Sequence, residues 1–150
     1  MSTVKTGAAA KDFTLSDQDD KDVKLSGFKG KKVVLSFHPL AWTKVCAEQM
    51  QSLEKNYSRF EELNTVALGI SVDTVPSKNA WAKQLGIKVT RLLSDFWPHG
   101  VVAQLYGIFR ENDGTSERAN IVVDETGKVI FVKVYGQLPD IEEIIKVLMK

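Results

Sequence analysis

The chain has 150 residues, 43% hydrophobic and 26% charged, a balance that fits a globular domain and excludes disordered, fibrous and membrane-spanning classes. Twenty Lys and Arg against 19 Asp and Glu leave a formal charge of +1, so no long-range field points to nucleic acid or to an anionic membrane. Cys46 is the only cysteine, which rules out an internal disulfide and a thiolate-rich zinc site and makes a reducing, cytoplasmic setting the expectation.

A single domain over residues 1–150 is expected, long enough to bury roughly 68–70% of its unfolded surface. Met1 to Ala10 lacks the apolar run of a signal peptide and reads as a short, loose arm. Phe13–Leu15 and Val23–Leu25 flank the polar stretch 16–22, the pattern of an opening β-hairpin with a solvated turn. Val33 to Phe37 is nearly continuous in apolar residues, as in a central strand covered on both faces. Met50, Leu53, Tyr57 and Phe60 then recur at helical spacing, predicting one helix from about Lys44 to Leu63 with Cys46 in its first turn.

Thr65 to Val72 is a second buried strand. Asp73, followed by Pro76 and Ser77, opens a helix that runs to about Leu85 and is closed by Gly86. Arg91 to Ser94 reads as a short strand, His99 to Tyr106 as a helix stopped by Gly107, and Asn112-Asp-Gly114 as a turn. The strands Ala119–Asp124 and Val129–Val134 form an antiparallel hairpin through Gly127, and Asp140 caps a last helix. This order matches an α/β, thioredoxin-like sandwich with an N-terminal β-hairpin extension and a central mixed sheet flanked by helices. Order alone also describes other α/β folds.

Chemistry is concentrated in His38-Pro39-Leu40-Ala41-Trp42-Thr43-Lys44-Val45-Cys46, which leaves a buried strand and delivers the lone cysteine to a helix start. Pro39, Thr43 and Cys46 match the P-x-x-x-T-x-x-C signature of the peroxiredoxins, and the chain resembles that family over nearly its whole length. Gln49, Ser71-Val-Asp73, Ala80-Trp81, Leu92 to Phe96 and Arg118 fall at similar positions. The resemblance implies a thiol-dependent peroxidase of the one-cysteine type that reduces hydrogen peroxide or alkyl hydroperoxides through a sulfenic acid on Cys46. That acid would be re-reduced by an external thiol or redoxin, with no cofactor and no metal.

The expected chemistry needs more than one device. An ordinary free cysteine is only about 3% thiolate at neutral pH. Full ionisation therefore raises the reactive fraction about 30-fold, far below the roughly 10⁶-fold acceleration expected of an enzyme. Charge growing on the leaving oxygen must also be met by fixed donors. The resemblance nominates Arg118 as the cation and donor, Thr43 as a hydroxyl donor to the peroxide, and Pro39 as a steric shield. Gln49 is a candidate to orient Arg118, and Val45, Trp42 and His38 are supporting residues.

Competing readings remain at this stage. A lone cysteine is often an inert core residue, Thr43 is also a natural helix cap, and an isolated Arg118 is a solvated turn residue. His38 and His99 raise a Cys–His acyl-transfer arrangement, but no third orienting residue has a recognisable spacing. A thiol–disulfide oxidoreductase would need a second cysteine at position 43. A slow redox sensor or holdase, or a binding module without redox chemistry, stays open. Trp42 and Trp97 fit either an apolar peroxide entrance or a homodimer contact.

Overall fold

The structure, a computed structural model, describes residues 2–150. In chain order it contains β1 Thr14–Ser16, β2 Asp22–Lys24, a 3₁₀ turn Leu25–Phe28, β3 Lys32–Phe37, α1 Lys44–Lys55, α2 Tyr57–Glu62, β4 Thr65–Ser71 and α3 Val75–Leu85. There follow β5 Arg91–Ser94, α4 Val101–Leu105, β6 Phe109–Arg110, β7 Thr115–Ser116, β8 Arg118–Val123, β9 Val129–Tyr135 and α5 Ile141–Leu148. Seven strands make one mixed sheet in the order β2-β1-β5-β4-β3-β8-β9, and β6 and β7 form a separate ribbon. β3, β4 and β5 run parallel, each joined to the next through helices. β8 closes on β3 antiparallel, with Leu35 opposite Ile121.

The sheet is covered on both faces because its central strands carry apolar side chains in both phases of the pleat. Val33, Leu35 and Phe37 of β3 join Ile121, Tyr106 and the N-terminal hairpin in one cluster. Val34 joins Cys46, Met50 and Leu53 of α1, Trp81 of α3 and Ile144, Ile145 and Leu148 of α5 in the other. Each fully buried aliphatic side chain contributes about 1.5–3 kcal/mol. α1 lies close on β4 because position 69 is glycine; any side chain there would run into Met50.

Several local expectations are revised. The helix predicted over 44–63 is two helices broken at Asn56, whose side chain donates to the Ser52 carbonyl at 2.8 Å and so turns back on the preceding turn. The 16–22 turn is not fully solvated. Asp17 is buried and accepts the N–H groups of Asp19 and Lys21, while Gln18 reaches β5 to donate to the Thr90 carbonyl and accept from Leu92 N–H. Thr74 rather than Asp73 caps α3. The helix predicted from His99 begins at Val101, after Gly100 in a left-handed conformation.

The N-terminal arm is pinned rather than loose. Val4 N–H donates to Tyr106, Gly7 N–H to Val129 and Ala10 N–H to Gly127. Thr3 Oγ1 donates to the Gly107 carbonyl, and the arm lies so close over Gly107 that a side chain there would meet its backbone.

Candidate active site

β3 ends at Phe37, and the extended chain continues through His38, whose N–H donates to Ile70 at 3.0 Å. Pro39 then starts a loop that is tied to the β4–α3 connection at two points. Ala41 N–H donates to Asp73 Oδ2 at 2.8 Å, and the Trp42 indole donates to Ser77 Oγ at 2.9 Å. These anchors hold Trp42 at φ +68°, a left-handed conformation unusual for a bulky residue. Asp73 also accepts the Ser71 hydroxyl at 2.6 Å, so both the strand end and the loop converge on one carboxylate.

α1 begins at Lys44, and the first helical bond runs from Ala47 N–H to Thr43 O. The N–H groups of Lys44, half-buried Val45 and Cys46 therefore precede the helical ladder, where partial positive charge accumulates. Cys46 itself is 1% exposed. Thr43 stands at the helix N-cap, but its side chain makes no capping bond; Oγ1 donates to the Leu40 carbonyl at 2.9 Å. The hydroxyl proton is thus spent inside the loop, and the oxygen faces any neighbour as an acceptor. This reverses the donor role expected from sequence.

Arg118, the first residue of β8, reaches the cysteine across the sheet. Its Nη1 lies 3.4 Å from Cys46 Sγ and donates to Gln49 Oε1 at 2.8 Å. Gln49 is buried one turn after Cys46, and its Nε2 donates to Ser36 Oγ at 2.8 Å and to the Phe37 carbonyl at 3.1 Å. With its NH₂ committed to β3, the amide can present only its oxygen to Arg118. The structure therefore brings Cys46, Arg118 and Gln49 together, with Thr43 in the loop just before the helix.

His38 makes no hydrogen bond to the sulfur. It is fully buried, its ring 5.5 Å from that of Trp81, and its Nε2 lies 3.1 Å from Nζ of Lys78, which is also fully buried. Burial, then the Lys78 and Arg118 charges, hold the imidazole well below its usual range, so it is neutral and accepts from Lys78. Burial likewise pushes the Lys78 ammonium down to about 7, opposed by Asp73, Cys46 and Asp95. His99 is exposed, packs edge-on against Phe96 and Phe109, and bonds through Nε2 to the Gly114 carbonyl at 2.7 Å. Neither histidine forms the base of an acyl-transfer pair with Cys46.

Lys78, Ser36 and Asp95 were missed by sequence reasoning. Lys78 left a readable trace, standing three and four residues before buried Trp81 and Ala82 and so on the helix's inward face. Asp95 is buried beneath α4, accepting Val102 and Ala103 N–H at 3.0 Å each; burial nonetheless raises its carboxyl to about 6.

Around the loop the surface is apolar, with Leu40, Trp42, Phe96 and Trp97 exposed; Trp97 is 79% accessible. Among the described residues no group of three or more His, Cys, Asp or Glu could hold a metal ion, and no helix is long and apolar enough to cross a membrane.

The pattern of the AhpC/TSA family matches residues 6–132. Alkyl hydroperoxide reductase E of Mycobacterium tuberculosis is 44% identical over 131 residues, covering 87% of this chain and 85% of that one. Among solved structures, peroxidoxin BcpB of Mycobacterium tuberculosis superposes with a TM-score of 0.89 at 29% identity, over 97% of each chain. The reduced 2-Cys peroxiredoxin of Plasmodium vivax superposes with a TM-score of 0.86 at 29% identity, over 97% of this chain and 81% of that one.

Proposed function

The chain belongs to the AhpC/TSA family of peroxiredoxins, thiol-dependent peroxidases of thioredoxin-like fold, and from that premise we propose that Cys46 is its peroxidatic nucleophile. The observation that carries this reading is the guanidinium of Arg118 set 3.4 Å from the sulfur at the start of α1. A permanent cation and a helix N-terminus both favour the thiolate over the thiol.

The Cys46 thiolate attacks the terminal oxygen of a peroxide, its electron pair becoming the S–O bond while the O–O pair departs on the leaving oxygen. Protonation of that oxygen gives water or an alcohol. Arg118 has Nη1 engaged with the sulfur and Gln49, and its other N–H groups serve the leaving oxygen. Thr43 Oγ1, whose O–H is directed at the Leu40 carbonyl, accepts the O–H of the incoming peroxide and turns its oxygens in line with the sulfur. Pro39 has no N–H to offer and acts by filling space over the site. Gln49 holds Arg118, Val45 contributes backbone in the first turn, and Trp42 stiffens the loop through Ser77.

The product is a Cys46 sulfenic acid, and with no second cysteine in the chain its reductant comes from outside, as a small thiol or a redoxin of the cytoplasm. The exposed apolar residues beside the loop support self-association as a homodimer through that face. The test is stopped-flow mixing of reduced protein with one equivalent of hydrogen peroxide, followed by trapping of the sulfenic acid with a dione. A fast phase that is absent from Cys46→Ser is expected. Oxidation of the parent no faster than that of a free thiol would overturn the assignment.

A further inference from the structure

The peptide unit between Leu40 and Ala41 is held by side chains at both ends. It is trans, so its N–H and C=O point in opposite directions within one plane. The N–H donates to Asp73 Oδ2 at 2.8 Å, and the C=O accepts the Thr43 hydroxyl at 2.9 Å. Turning this plane moves both bonds together. We propose that Asp73 is a positioning residue for the peroxide reaction: by gripping Ala41 N–H its carboxylate sets the Leu40 carbonyl, and through it fixes Thr43 Oγ1 as the acceptor of the peroxide O–H.

Asp73 follows β4 on a backbone that is itself fixed. Ser94 Oγ of β5 donates to the Asp73 carbonyl at 2.6 Å, and Asp95 N–H donates to the Ser71 carbonyl at 2.7 Å. The Ser71 hydroxyl donates to the same Oδ2 at 2.6 Å, so the oxygen that takes Ala41 N–H cannot swing away without losing a second bond. No lysine, arginine or histidine among the described residues forms an ion pair with this carboxylate. Its bonding capacity is spent on neutral donors of the strand end and the loop, and hydrogen bonds to an ionised acceptor are the strong ones. Ala41 is buried, which shelters its N–H bond from competition by water.

A threonine hydroxyl is a rotor that donates or accepts as its neighbours dictate. Thr43 is exposed and makes no capping bond to α1, so the Leu40 carbonyl is the group that directs its proton. Turned over, the same peptide unit would offer Thr43 an N–H in place of a carbonyl, and the hydroxyl would be free to donate instead. Asp73 opposes that inversion, because the turned peptide would withdraw the N–H from the carboxylate and set a carbonyl oxygen against it. On the far side, the Trp42 indole bonded to Ser77 Oγ at 2.9 Å holds the next residue at φ +68°. The loop is thus gripped on both sides of the residue pair that aims the Thr43 hydroxyl.

With Cys46 as the nucleophile, on which the proposal rests, the rate of the peroxide reaction is measured for the parent, Asp73→Ala, Asp73→Asn, Thr43→Val and the double variant combining Asp73→Ala with Thr43→Val. Asp73→Ala is expected to slow the reaction roughly tenfold or more, the cost of a displaced contact. Asp73→Asn, whose amide oxygen accepts the same two donors, is expected to stay within about threefold of the parent. The double variant should match Thr43→Val within about twofold, because Asp73 acts through the hydroxyl that Thr43→Val has already removed. Losses that multiply would show a general loosening of the loop and overturn the proposal. So would an Asp73→Ala rate equal to that of the parent, or an Asp73→Asn loss as large as that of Asp73→Ala.

A second measurement does not depend on activity. In ¹⁵N-labelled protein, the residual dipolar coupling of Ala41 N–H reports how the Leu40–Ala41 plane is oriented. It is expected to agree between the parent and Asp73→Asn and to change in Asp73→Ala, while the couplings within α1 stay as they are. An unchanged Ala41 coupling in Asp73→Ala would equally overturn the proposal. Undiminished peroxide consumption by Cys46→Ser would instead strike the assignment of the nucleophile.

Discussion

Val33, Leu35 and Phe37 of β3 and Ala119, Ile121 and Val123 of β8 look into one apolar cluster without a polar atom among their side chains. The alternate residues of the same strands, Val34 and Ser36 with Asn120 and Val122, face the helices that carry Cys46, and at that end of the sheet stand His38 and Arg118. On the first face, stability comes from area and fit, which are non-directional. On the second, the strands turn polar toward the ends that meet the loop: Ser36 accepts from Gln49, His38 from Lys78, and Arg118 reaches Gln49 and the sulfur, while His38 Nδ1 and Asn120 Oδ1 have no partner among the described residues. One pair of strands thus serves as wall on one side and as template on the other, and the two roles fail differently.

Removing Phe37, which packs against Tyr106 with ring centroids 6.1 Å apart, is the largest insult. Phe37→Ala is expected to cost about 3–5 kcal/mol in urea unfolding while leaving the peroxide rate of the folded fraction close to that of the parent. Arg118→Ala should do the opposite. Its peroxide rate in stopped-flow is expected to fall about 10²–10³-fold, the loss typical of one fixed donor to a developing anion, with little change in the unfolding midpoint. If Phe37→Ala slowed the chemistry as much as it weakened the fold, the two faces would not be separable. The smallest effect belongs to Ser36→Ala, which leaves Gln49 Nε2 with the Phe37 carbonyl alone. About 0.5–1.5 kcal/mol of stability and a few-fold loss of rate are expected, both read in the same two assays.

The first face was legible in the sequence and the second only in part. Apolar runs located β3, β4 and β8, and the spacing of Pro39, Thr43 and Cys46 carried the family resemblance and with it Arg118. Ser36 and Lys78 were not singled out, because a buried polar group is defined by a partner far away in the chain; Lys78 meets His38 across 40 positions. Gln18 was misplaced in a solvated turn for the same reason, its partners lying on β5. The break at Asn56 was hidden because Tyr57 and Phe60 keep helical spacing across it. The direction of the Thr43 proton could not be read either, since it depends on where the loop places the Leu40 carbonyl.

The pinned arm also constrains the order of events as the protein is made. Residues 4–10 leave the ribosome early, yet their hydrogen-bond partners are Tyr106, Gly127 and Val129, and β3 must wait for β8 before its second edge is covered. A nascent chain that has emerged only as far as α3 therefore holds the Cys46 loop and helix with neither Arg118 nor a closed sheet. Such distant pairings favour slow closure, and the cysteine gains its guanidinium partner only once β8 has emerged.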